Sequence, residues 1–458
     1  MTTLPFGQWP SPISAADLRI GRRRLGEGFI DGETCYWLQS NPDDAGRTTL
    51  WRRVGDGEVS DLTAHWDVRT SIHEYGGTSA AVDHGRVCFF DRRSGQVWSL
   101  GKDGTALAIT EPGDGVYGGF TFLNRYQVVC VRENHASDLV EPQDSIVVLN
   151  LDQANPGGGQ IVAQGADFYF SPAVSPHGCI AWMEYDHPSM PWDSTRIIVL
   201  APSGSRQVIA ATPGVSAIHP QWHTDGSLIF LSDDSGYWNF YRWTPLGVRR
   251  LHDHAYDFCS PPWVLSRPPY ALLNGPNAGL RIGCSWWSDG QAHLGWIEPT
   301  GELKTLGVYA SALVGPATGG ASIVQLGTTT SPAELRHLNW ATGKSRRLAR
   351  ESDITIDEEK VSIPTQIQWQ TSDTDEPVYG WYYPPVASAE GVDSVRGAEA
   401  GSETGSETGS ETGSTAGSRA GFEEKPPCLM LVHGGPTAYS DSSFSLVIQY
   451  FTSRGIAV

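Results

Sequence analysis

Cysteine is scarce in this chain and never paired in sequence. Seven thiols are spread through 458 residues with no CxxC spacing, which argues against a disulfide framework or a cysteine-held metal. Most stand inside apolar runs such as RVCFF, QVVCV and GCIAW, where a buried thiol is the expected state. Positive charge is also short: 32 Lys and Arg stand against 51 Asp and Glu, a formal net charge of −19. That deficit excludes the basic surface that non-specific nucleic-acid binding needs. No run approaches the 18 apolar residues of a membrane span. The N-terminal MTTLPFGQWPSPISAADL lacks both the basic and the apolar region of a signal peptide. A reducing cytoplasm is the expected location, with no nucleic-acid or membrane partner, no cofactor and no metal. A homo-oligomer stays open.

What the chain does have is turns and aromatics. Its 52 Gly and 17 Trp suit a β-rich fold. Seven segments pair a turn glycine with an apolar or alternating run: Gly57, Gly104, Gly158, Gly204, Gly247, Gly301 and Gly343, at intervals of 42 to 54 residues. Each is preceded by a strand-like run (TTLWRR, GQVWSL, SIVVLNL, TRIIVL, NFYRW, AHLGWI, ELRHLNW). Most units carry an earlier strand as well, opened by a glycine turn, as in HGRVCFF and DGSLIFL. Three or four strands per unit is the blade period of a β-propeller. Seven blades over 21–355 would close a ring without long exposed edges. The competing reading is an irregular all-β array.

Other organisation lies outside the ring. Residues 1–20 form an N-terminal segment in which Ser14 and Asp17 suggest the start of a short helix. The alternating stretch in 356–387 reads as a hairpin. The GSETGSETGSET tract at 388–425 has almost no apolar residue and is expected to be a disordered insertion. In 426–458, CLMLV reads as a strand buried on both faces, HGGPT as a turn, and Phe444, Val447, Ile448 and Phe451 as one apolar helix face.

Two glycines after a buried strand let a backbone approach a reacting carbonyl, with N–H groups aimed at a developing oxyanion. With a propeller before them, the stretches FGQWPSPISAADL, RTSIHEYGGTSA, HPSMPWDST, DDSGYWNFYRW and LVHGGPT resemble the prolyl oligopeptidase family of serine peptidases, in its acylaminoacyl-peptidase and dipeptidyl-aminopeptidase-like branch. The resemblance runs through nearly the whole chain. It implies an all-β seven-bladed propeller followed by the start of an α/β-hydrolase domain, a short peptide as substrate, and His433, Gly434 and Gly435 bordering the oxyanion site. The nucleophilic Ser, the Asp and the His of that family lie downstream of this loop, and no Gly-x-Ser-x-Gly occurs in the 458 residues. The chain is therefore expected to be a member cut early in its catalytic domain, with no catalytic residue of its own. The rival expectation is a non-catalytic propeller that binds peptides or partners.

His73, Glu74 and Tyr75 are the substrate-binding candidates within the propeller. Glu74 would supply the anion for a peptide α-ammonium. The plainer reading packs His73 and Tyr75 on one strand face, with Gly76 and Gly77 as a bend. Asp186, His187 and Asp193 lack a compact ligand spacing and read as an inter-strand loop.

Overall fold

The computed structural model describes residues 4–18, 22–113, 115–136, 139–274, 279–371, 377–386, 425–435 and 437–458. The chain divides into two compact units, 20–353 with 441–443, and 1–19 with 354–440 and 444–458.

The first unit is a seven-bladed propeller. Its seven antiparallel sheets have four strands each, and within every sheet the strands neighbour one another in chain order. The blades span 25–61, 80–108, 115–164, 168–210, 217–250, 271–309 and 311–350. Each of the seven repeat glycines stands at the turn between the third and fourth strands of its blade. Six of them hold φ between 67° and 124°, and in blade 1 the neighbouring Gly55 takes that role at φ 51°. Those turns need a residue without a Cβ, and this is why the repeat is visible in sequence.

Blades pack face to face, and every neighbouring pair shares an apolar core. Phe89 and Leu50 join blades 1 and 2, Phe90 and Cys130 join blades 2 and 3, and Leu294 and Val324 join blades 6 and 7. The ring closes by the same means. Trp37 of blade 1, wholly buried, packs with Ile323, Leu335 and Leu348 of blade 7. A Cβ on Gly28 would stand 2.5 Å from Ile323 Cγ2. Since every blade is built from consecutive strands, no strand is exchanged across this seam, and side-chain packing with an Arg346–Asp56 ion pair at 2.7 Å holds it. Four of the seven cysteines, Cys35, Cys88, Cys130 and Cys284, are buried, and all seven are free thiols.

The second unit contains the hairpin Thr365–Gln370 with Pro377–Tyr382 and the helix Leu446–Thr452. Three details depart from expectation. Ser14 and Asp17 do bond reciprocally, Ser14 N donating to Asp17 Oδ2 at 2.7 Å and Asp17 N to Ser14 Oγ at 3.2 Å. Only a turn follows them, not a helix. The helix buries Leu446, Gln449 and Thr452, while Val447 is exposed. Gln449 is drawn inward because its amide satisfies the Ser362 backbone from both sides, accepting from N at 2.7 Å and donating to O at 3.1 Å. Finally, CLMLV is not a strand buried on both faces. It pairs with Ala457 at Cys428 alone, and Met430 and Val432 are 76% and 80% exposed. An apolar run is buried only where a partner covers it, and no described residue pairs with 430–432. The expected insertion at 388–425 falls, but for Lys425, outside the described residues.

Candidate functional site

His73, Glu74 and Tyr75 form a turn on the linker between blades 1 and 2. The backbone is unusual there: His73 has φ 50° and Glu74 φ 64°, a left-handed conformation that side chains other than glycine rarely take. What holds the turn is long-range. The His73 N–H reaches Glu133 Oε1 at 3.3 Å, and His73 Nε2 lies 2.6 Å from Asp144 Oδ2. The imidazole stacks on Phe170 with centroids 5.0 Å apart and meets Phe168 edge-on at 5.5 Å. His73 is thus fixed, whereas Glu74 and Tyr75 project outward, Tyr75 being 62% exposed. The expectation that His73 and Tyr75 share a strand face does not hold.

These three residues line a pocket of about 300 Å³. Glu133 and Asp144 stand at its base from the second and third strands of blade 3, Gln127–Asn134 and Gln143–Asn150. Phe168 and Phe170 come from the first strand of blade 4, and His187 to Trp192 from the loop after its second strand. Trp263 of the linker between blades 5 and 6 closes one side, 5.4 Å from Tyr75 and 4.5 Å from Trp192 between ring centroids.

The charge of the pocket is one-sided. Glu74, Glu133, Glu141, Asp144 and Asp167 all line it, and among the described residues no lysine or arginine does. Glu133 and Asp144 are 5% and 6% exposed. Their side-chain partners are His135, at 2.9 Å from Glu133 Oε2, and His73. Burial, with the Asp144 charge beside it, pushes the Tyr185 hydroxyl well up, so it stays protonated. Buried carboxylates without a full cation partner are costly, and an aromatic-walled acidic pocket lowers that cost when a cation enters. His73, Glu133 and Asp144 also bring one nitrogen and two oxygens within 4.8 Å of one another, a donor set able to hold a metal ion.

Among the other candidates, Asp186 is occupied by Arg196 at 2.7 Å, and Asp193 accepts from Met190 N at 2.8 Å. His187 does reach the pocket. His433, Gly434 and Gly435 are exposed in the second unit, with Gly435 at φ 75°. Sequence reasoning missed Glu133, Asp144 and Trp263, which lie 60 to 190 residues from His73 and share no local spacing with the HEYGG motif.

No family model matches the chain, and no curated protein matches it. Solved structures do. A puromycin-hydrolyzing peptidase of Mycobacterium tuberculosis is 29% identical, with TM-score 0.82 over 100% of this chain and 68% of that one. A puromycin hydrolase shares the fold at 24% identity and TM-score 0.81, with 69% of its length covered. An acylaminoacyl peptidase of Pyrococcus horikoshii does so at 14% and 0.62, over 95% of this chain and 64% of its own. The neighbours are peptidases, and in them a propeller precedes the hydrolase domain. In its seven blades and in these neighbours, the chain is consistent with the prolyl oligopeptidase family.

Proposed function

We propose that this chain is the substrate-selecting part of a serine-type peptidase for short peptides, and that its pocket receives the positively charged amino end. The observation that carries the reading is the pocket's composition: five carboxylates and aromatic walls, with two histidines and, among the described residues, no lysine or arginine. An α-ammonium supplies the missing cation, and Phe168, Tyr185, Trp192 and Trp263 offer apolar cover to the first side chain. The peptidase activity of its neighbours supports the same class, and the puromycin hydrolysed by two of them is a reason to test aminoacyl amides first. The 458 residues hold no Gly-x-Ser-x-Gly, so on this reading the chain binds but does not cleave unaided. His433, Gly434 and Gly435 would border the oxyanion site once a nucleophile is supplied.

The test is calorimetric titration of the chain with phenylalanyl-glycinamide and with its N-acetyl form. Loss of the ammonium should weaken binding by about 30-fold or more, the worth of a desolvated charge-assisted contact. Equal affinity would sink the reading. The propeller as a docking module for a protein partner would instead show no binding of either peptide.

A further inference from the structure

The linker between blades 5 and 6, residues 251–270, does more than wall the pocket. Leu265 exchanges backbone hydrogen bonds with the linker leading into blade 2: its N–H donates to Gly76 O at 3.1 Å, and its carbonyl accepts from Thr78 N at 2.7 Å. Its side chain lies against Gly119 in the first strand of blade 3, where a Cβ would stand 2.5 Å from Leu265 Cδ2. Ser266 O accepts from Ser171 Oγ in the first strand of blade 4 at 3.0 Å. Arg267 N donates to Glu27 Oε1 in the first strand of blade 1 at 2.9 Å, and its guanidinium to Gly28 O at 2.9 Å. Tyr270 then donates to His219 O in the first strand of blade 5 at 2.6 Å.

Six consecutive residues therefore touch the first strands of four blades and the linker that leads into a fifth. Only the ring axis is equally close to all of them. Leu265 has no solvent exposure. The surrounding strands are shaped for it: Gly119, Ser171 and His219 all take positive φ, at 67°, 48° and 54°, each beside a break in strand register. Such bulges bend a strand and turn its backbone groups aside, here toward the linker.

We infer that Leu265 seals the axis of the propeller, so that the pocket beside it is a dead end, entered from its mouth by a chain terminus and never by a chain threading the ring. This rests on the pocket being a peptide site and deepens that reading. It makes the ligand a peptide whose amino end stops at the Trp263 and Leu265 segment, with growth tolerated only toward the carboxyl side.

The experiment compares phenylalanyl-glycinamide with two derivatives on the unmodified chain, by quenching of tryptophan fluorescence. One is extended by three glycines at the carboxyl end. The other carries an N-octyl group, which keeps the positive charge but adds a tail on the amino side. The extended peptide should bind within about 3-fold of the parent, and the N-octyl compound about 100-fold more weakly. Opening the seal with Leu265→Gly should bring the N-octyl compound at least about 10-fold closer to the parent, both affinities being measured on that variant. N-octyl binding within about 3-fold of the parent on the unmodified chain would overturn the sealed axis while leaving the peptide site standing. If no peptide binds, the peptide-site reading fails, and hydrogen exchange decides the seal separately. The Leu265 and Thr78 amides should exchange as slowly as core strands, and fast exchange at both would show an open axis.

Discussion

His219 offers a sharp test of how the propeller interior is assembled. It lies in the first strand of blade 5, 3% exposed, with Nδ1 lacking a hydrogen-bond partner. Burial pushes its pKa from 6.5 down to about 4. The sign follows from linkage: below pH 6.5 the unfolded chain binds a proton that the folded chain refuses. The stability that neutral His219 contributes is complete above pH 6.5 and is lost as pH falls toward about 4. The loss amounts to about 2 kcal/mol at pH 5 and about 3 kcal/mol at pH 4. Other groups titrate in the same window, so the comparison is with His219→Asn, which keeps a residue tolerant of φ 54°. Urea unfolding at pH 7 and pH 5 should show the unmodified chain losing about 2 kcal/mol more than the variant. Parallel pH profiles for the two would refute the assignment.

Three further outcomes follow from buried contacts. Glu184, 3% exposed, accepts from Trp182 Nε1 at 2.8 Å and from the half-exposed Arg206 at 2.8 and 3.0 Å; Glu184→Ala should cost about 1–3 kcal/mol by urea unfolding, because it leaves the buried indole N–H unpaired while water takes over the guanidinium. Glu27 accepts from Thr78 Oγ1 at 2.6 Å and from Arg267 N, and burial pushes its carboxyl up. Glu27→Ala should destabilise the propeller by about 3 kcal/mol, read from its denaturant midpoint. Gln449→Ala should lower the stability of the second unit by about 1–3 kcal/mol, since it leaves the Ser362 N–H and carbonyl unpaired.

The propeller was legible because each blade closes locally. A turn glycine every 42 to 54 residues and a β-branched or aromatic run before it reflect contacts within one sheet. Burial in the second unit was not legible, because it depends on partners. CLMLV has the composition of a covered strand, yet only Cys428 pairs, and Gln449 is interior because of one backbone segment 87 residues away. The pocket was half legible. HEYGG pointed to His73, Glu74 and Tyr75, but the carboxylate that fixes His73 is 71 residues distant. The stretch SPPWVLSRPPY, which carries Trp263 and Leu265, looks like any proline-rich loop.

The most direct measurement of the central claim is calorimetry of phenylalanyl-glycinamide on the chain with Glu74→Gln and Glu141→Gln together. Both side chains line the pocket, and their replacement keeps shape while removing two charges. If the pocket recognises a cationic peptide end, affinity should fall about 10- to 30-fold, and the remaining binding should depend less on salt. An unchanged dissociation constant with an unchanged salt dependence would contradict the claim.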